Sequence, residues 1–294
     1  MKISAVMVKE LRERTGSGMM ECKKALVEAE GNIETAIEQM RKSGLAKADK
    51  KSSRIAAEGI IAVKVSADGK TAVMVEVNCE TDFMSKGNEF VTFANDICEA
   101  LLVNEVTSPE QLHDLALSGG NTVDVVRRGM IAKLGENISV RRFEKFATTA
   151  GGTACYLHGS RIGVITELAK SDDALGKDVA MHVAAINPLH VGEKDVPAEM
   201  IEKEKAIFSA QAAESGKPAE IIEKMIGGRV RKFLAEITLE GQAFIKDDKV
   251  TVGKLVSGKG NSVISFARYE VGEGIEKKEE DFAAEVMAQV RGEA

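Results

Sequence analysis

Over residues 1–45 the apolar positions recur at helical spacing. Val8 and Leu11 face one way while Lys9, Arg12 and Glu13 face the other, and Ser4 stands where an N-cap belongs. Thr15-Gly-Ser-Gly18 interrupts the period, which resumes from Met19 to Glu30 with Met19, Cys22, Leu26 and Ala29 on one stripe. Gly31 then reads as a stop and Asn32 as the next cap. The third helix has Ile33, Ala36, Ile37 and Met40 as its buried stripe and Gly44 as its end. From Ile55 the period changes to two. Ile60–Val65, a turn at Asp68-Gly69 and Thr71–Val77 predict a hairpin, followed by a helix with Phe90, Phe93, Ala94, Ile97, Cys98 and Leu101 inward.

The same unit returns further along. Tyr156-Leu157, a turn at Gly159-Ser160 and Ile162–Leu168 repeat the hairpin, and a helix near Val179–Ile186 closes on Asn187-Pro188. In this alignment Glu76 matches Glu167, Val73 matches Val164, Phe90 matches Met181 and Ala94 matches Ala185. The pattern over 1–45 makes a small bundle of the ubiquitin-associated (UBA-like) type. Arg41–Arg54 holds six Lys or Arg and one acid. It reads as a solvated, partly helical linker, the other reading being an RNA-binding patch that lacks an aromatic to stack a base. Val196–Gly228 predicts an antiparallel helical hairpin of coiled-coil character turning at Ser215-Gly-Lys-Pro218. Ala235–Leu239 and Ser262–Phe266 read as strands, and Glu279–Arg291 as a last helix with Phe282, Val286 and Val290 inward.

The expected fold class is therefore α+β. It places a three-helix UBA-like domain and linker at 1–54, a first core subdomain at 55–145, and a second at 146–195 with 229–265. The helical hairpin at 196–228 is inserted, and 266–294 form a C-terminal helical module.

A net charge of −6 argues against a protein that coats nucleic acid, and no apolar run is long enough to span a bilayer. The start meets charges at Lys9 and Glu10 without a cleavage-like site, so the chain reads as cytoplasmic. Cys22, Cys79, Cys98 and Cys155 have no metal-ligand or disulfide spacing, and His113, His158, His182 and His190 form no His-Glu-x-x-His pattern. Asp68-Gly-Lys-Thr71 imitates the end of a phosphate loop, but Lys64 stands where its leading Gly belongs. Asp172-Asp173 and Glu279-Glu280-Asp281 read as solvated acids. No catalytic constellation, cofactor site or metal site emerges.

One stretch stands apart, Glu76-Val-Asn-Cys-Glu-Thr-Asp-Phe83. A strand runs into a polar turn ending in an acidic–aromatic pair, so Phe83 is either a core plug or a probe for a partner. The second copy has Ser171-Asp-Asp-Ala174 there, so the fold does not require Phe at that turn.

Leu11-Arg-Glu-Arg-Thr-Gly-Ser-Gly-Met-Met-Glu-Cys-Lys-Lys-Ala-Leu26 and Glu76–Phe83 resemble the two signatures of the bacterial elongation factor Ts family. Gly135-Glu-Asn-Ile138 with Arg141-Arg142, His158-Gly-Ser-Arg-Ile-Gly-Val164, Met181-His-Val-Ala-Ala185 and Arg268-Tyr-Glu-Val-Gly-Glu-Gly274 follow in order. Met84-Ser-Lys86 departs from the small aliphatic pair and Lys more common in the family. The resemblance implies a guanine nucleotide exchange factor that promotes GDP release from elongation factor Tu, with no covalent chemistry. It implies contacts to the GDP-bound GTPase domain and to a second domain of that partner. Asp82 and Phe83 would be the pair inserted near the switch and Mg²⁺ region, with Thr81 as a further partner contact. Arg12, Met19 and Met20 would contact the GTPase domain, and His158 and the Ile138 region would touch the partner elsewhere. No nucleic acid or membrane partner is implied, and the helical hairpin is a candidate for self-association. The alternative function is a non-catalytic interaction scaffold.

Overall fold

The computed structural model describes residues 3–213 and 218–276. The first three helices are α1 (Ala5–Thr15), α2 (Met19–Glu28) and α3 (Ile33–Lys51). Ser4 caps α1 by accepting the Met7 N–H, and Asn32 caps α3 by accepting that of Thr35. Val8, Leu11, Cys22, Ala25, Leu26, Ala29 and Ala36 close a small core. Met19 lies outside it, 60% exposed, because the buried stripe of α2 runs through Cys22 and Leu26 instead.

Gly44 does not end the third helix. It lies inside α3 where that helix crosses a later one, and a Cβ there would stand 3.0 Å from Cβ of Ala132. Glycine costs about 1 kcal/mol of helix propensity, and close packing outweighs it. The expected basic linker is thus the last turns of α3, whose Lys51 donates to the Gly135 carbonyl. Asn137 Nδ2 donates to the carbonyl of Arg54 (2.8 Å) just beyond.

β1 (Glu58–Val65) and β2 (Thr71–Cys79) form the first hairpin, with Asp68 Oδ1 accepting the Lys70 N–H in the turn. A single turn α4 (Asp82–Ser85) leads to α5 (Asn88–Val103), α6 (Pro109–Asp114), α7 (Val123–Leu134) and β3 (Ile138–Ala147). The sheet order is β1-β2-β3, antiparallel throughout. β4 (Gly152–His158), β5 (Ile162–Leu168) and α8 (Asp173–Ile186) follow. α9 (Ala198–Ala213) and α10 (Ala219–Ile237) come next, then β6 (Ala243–Phe244), β7 (Asp247–Thr251), α11 (Val252–Gly258) and β8 (Val263–Glu270). The second sheet has order β4-β5-β8, so both sheets place their hairpin's second strand in the centre. Both also break register after a matched glutamate, at Glu76/Val77 and at Glu167/Leu168.

The two sheets pack face to face. Ile61, Ala72, Met74, Ile165 and Val271 fill the space between them. Gly163 permits the approach, since a Cβ there would fall 2.4 Å from Cγ2 of Ile61. The outer face of the first sheet is covered by α5 through Phe90, Phe93, Ala94, Ile97 and Leu101, and that of the second by α8 through Leu175, Val179 and Val183. β2 is consequently buried on both faces.

Ala235–Leu239 is not a strand. α10 runs on through Gly227-Gly228 to Ile237, held against α9 by Arg229, which donates to Gln211 Oε1 (2.6 Å) and lies over the Phe208 ring. Strands β3 and β8 run past 145 and 265, where subdomain boundaries were expected. Asp172 is a cap, accepting the Leu175 N–H at 3.0 Å, and only Asp173 matches the expected solvated acid, paired with Lys177. The turn at 214–217 and the expected helix Glu279–Arg291 lie outside the described residues.

Candidate functional site

The ladder between β2 and β3 ends at the pair Cys79↔Ile138. Beyond that rung, side chains replace backbone pairing. Glu80 Oε1 accepts the Asn137 N–H (2.6 Å), while Glu136 accepts both the N–H (3.0 Å) and the hydroxyl (2.7 Å) of Thr81. Thr81 Oγ1 in turn accepts the Met84 N–H and so caps α4. Ser85 is buried and donates to the Asp82 carbonyl, and Met84 packs on the core beneath.

These anchors leave Asp82 and Phe83 pointing away. Phe83 is 86% exposed, the most exposed large apolar side chain among the described residues. It is no core plug. Asp82 pairs with Lys86 at 2.6 Å, and the hydrogen bond and charge of Lys86 hold its carboxyl below the usual value. In the second copy Asp172 leads straight into α8, without the extra turn that lifts Phe83 out.

A second cluster forms on the N-terminal helices. Arg12, Met19 and Met20 line a groove of about 410 Å³ between α1 and α2, together with Val8, Lys9 and Lys23. Met20 is 73% exposed. Apolar sulfur-bearing side chains rimmed by cations suit a partner surface of mixed apolar and acidic character.

The remaining expected contacts separate. His158 is exposed at the end of β4, its Nδ1 3.4 Å from the Tyr156 hydroxyl. Ile138 is fully buried and its side chain belongs to the core. It forms the last rung of the sheet, paired with Cys79.

Glu76, Glu80, Glu136 and Asn137 were not singled out as site residues. Glu76 is fully buried and receives Arg141, Arg142, Asn78 and the Gly272 N–H. Burial alone would raise its carboxyl, but those hydrogen bonds and the Arg142 charge bring it below the ordinary value. The signal for all four was their place in the quoted motifs, which meet only in three dimensions. Among the described residues no group of three or more His, Cys, Asp or Glu is arranged to hold a metal ion, and no helix is long and apolar enough to cross a membrane.

The family model described as "Elongation factor TS" matches residues 80–273. The chain is 63% identical over 291 residues to elongation factor Ts of Methylococcus capsulatus, covering 99% of each chain. It is 58% identical over 293 residues to elongation factor Ts of Thioalkalivibrio sulfidiphilus, covering 99% of this chain and 100% of that one. Elongation factor Ts of Legionella pneumophila (strain Paris) is 56% identical over 289 residues, with 98% of this chain and 99% of that one covered.

Proposed function

The chain belongs to the elongation factor Ts family, the exchange factors that act on elongation factor Tu without bond-making chemistry, and from that premise we propose how its residues act. Phe83 enters the GTPase beside its switch region, and Asp82 disturbs the surroundings of the Mg²⁺ ion. The observation that supports this is the exposure of Phe83 on a capped turn, with the fold needing no aromatic there. Mg²⁺ bridges the nucleotide phosphates and is the largest charge in such a site, so disturbing its supporting groups weakens GDP.

Magnitude decides how much one side chain can do. Speeding release by four to five decades takes roughly 5.5–7 kcal/mol of differential stabilisation. Burying one Phe supplies about 1.5–3 kcal/mol. The rest comes from a broad interface, to which we assign the groove of Arg12, Met19 and Met20 on the GTPase domain and His158 on a second domain. Linkage then makes the factor self-releasing: if it weakens GDP, GDP weakens it equally. Self-association is assigned to the arm of α9 and α10, where Ile207 and Ile221 are 41% and 47% exposed. Sedimentation of the hairpin-deleted chain beside the intact one tests that assignment.

The test of exchange is stopped-flow release of a fluorescent GDP from elongation factor Tu, with and without this protein and at raised Mg²⁺. Release that accelerates with factor concentration and is blunted by Mg²⁺ is expected. Binding without acceleration would leave the scaffold reading.

A further inference from the structure

A helix of four residues cannot sustain itself, because nucleation fixes several dihedrals for a single hydrogen bond. α4 is such a helix, and Phe83 at its outer side touches little that could aim it. Its direction is therefore set by what holds the residues on either side. On the C-terminal side Met84 and Ser85 turn inward. On the N-terminal side the backbone pairing has already ended at Cys79, and the anchor is the carboxylate of Glu136.

That carboxylate lies on the turn between α7 and β3, 55 residues away in sequence, and takes both donors of Thr81. One oxygen accepts the N–H and the other the hydroxyl, so the grip is two-pronged and fixes orientation as well as position. The hydroxyl, having donated to Glu136, still accepts the Met84 N–H. The chain of bonds runs unbroken from Glu136 through Thr81 into the turn that bears Phe83. Glu80 makes the reverse bond, its Oε1 accepting the Asn137 N–H, so each turn lends a carboxylate to the other's backbone.

We propose that Glu136 is a positioning residue for nucleotide exchange, holding the Thr81 cap so that Phe83 is presented in its inserting direction before the partner arrives. The proposal rests on the Phe83 reading given above. Without the carboxylate, the backbone of about one more residue must be ordered during insertion, a loss of about 5- to 30-fold in rate.

The experiment measures GDP release from elongation factor Tu at increasing factor concentration for wild type, E136A, E136Q, F83A and the double variant E136A/F83A. E136A is expected to lower the plateau rate about 5- to 30-fold while the half-saturating concentration stays put, because docking precedes insertion. E136Q keeps one acceptor oxygen and should fall between E136A and wild type. The double variant should release GDP at the F83A rate, since the carboxylate acts through the ring.

A wild-type plateau for E136A would overturn the proposal while leaving the insertion of Phe83 intact. So would losses that multiply in the double variant, or a shift in half-saturation equal to the loss in plateau, which marks general damage to the fold. F83A releasing GDP as fast as wild type would remove the insertion mechanism and this proposal with it.

Discussion

The Gly272 N–H donates to Glu76 Oε1 at 2.8 Å across 196 residues of sequence, joining the centre of the first sheet to the end of the last strand of the second. Arg142 strengthens the junction: it donates to Glu76 Oε2 at 2.5 Å and to the Glu270 carbonyl, and stacks on Tyr269 at 4.0 Å. Removing the carboxylate takes the ion-pair partner from Arg141 and leaves Arg142 with Glu273 alone in a partly closed site. Glu76→Ala should lower stability by about 3–5 kcal/mol, read as a fall in the urea midpoint. An unchanged midpoint would show that the sheets hold together by apolar contact alone.

Acid should destabilise the protein in two steps. His182 is fully buried, and burial lowers its pKa below 6.5 against the opposing hydrogen bond it donates to Gln242. Its Nδ1 accepts the Ile245 N–H, so the proton sits on Nε2 and donates to Gln242 Oε1. A depressed histidine contributes stability above 6.5 that is lost as pH falls through the folded value. Glu76 repeats the loss lower down, below the ordinary 4.5. Tyr269 acts at the other end: burial and Glu144 raise it to about 12, giving stability present below 10.0 and lost as pH rises through the folded value. Urea midpoints taken across pH should show these losses, and His182→Gln should erase the first.

Phe83→Ala removes a side chain that the free protein does not bury. Its unfolding midpoint should match wild type within about 0.5 kcal/mol. Its maximal rate of GDP release should fall roughly 10- to 100-fold, the equivalent of one buried Phe. Exchange at the wild-type rate would refute insertion.

Gly44→Val should cost about 1–3 kcal/mol through overpacking against α7. Gly44→Ala should be close to neutral, since roughly 1 kcal/mol of helix propensity offsets the crowding with Ala132. Equal effects of the two in urea denaturation would contradict the close crossing.

Local pattern made much of this fold legible. Helical spacing with Ser4 and Asn32 as caps located the first helices, and alternation around Asp68-Gly69 and Gly159-Ser160 located both hairpins. What escaped depended on distant partners. Gly44 looks like a breaker until α7 is beside it. β3 was hidden by its own charges, Arg141, Arg142, Glu144 and Lys145, whose partners Glu76, Tyr269 and Glu105 come from elsewhere. Phe83 stood out because an aromatic beside Asp at a turn is conspicuous in one dimension. Glu136 did not, because a glutamate in a turn means little until Thr81 sits across from it.

The continuity of α3 has a consequence for fit. The helix leaves the three-helix bundle and reaches the foot of the sheet without a joint, so the Met19–Met20 groove and the Phe83 tip are tied through one continuous element, like the two jaws of a caliper. If both surfaces meet one partner, as proposed above, that partner must offer its two receiving surfaces at a matching gauge. One residue inserted into α3 would turn the bundle by about 100° and advance it by about 1.5 Å, leaving each jaw whole and the pair unable to close on the same object.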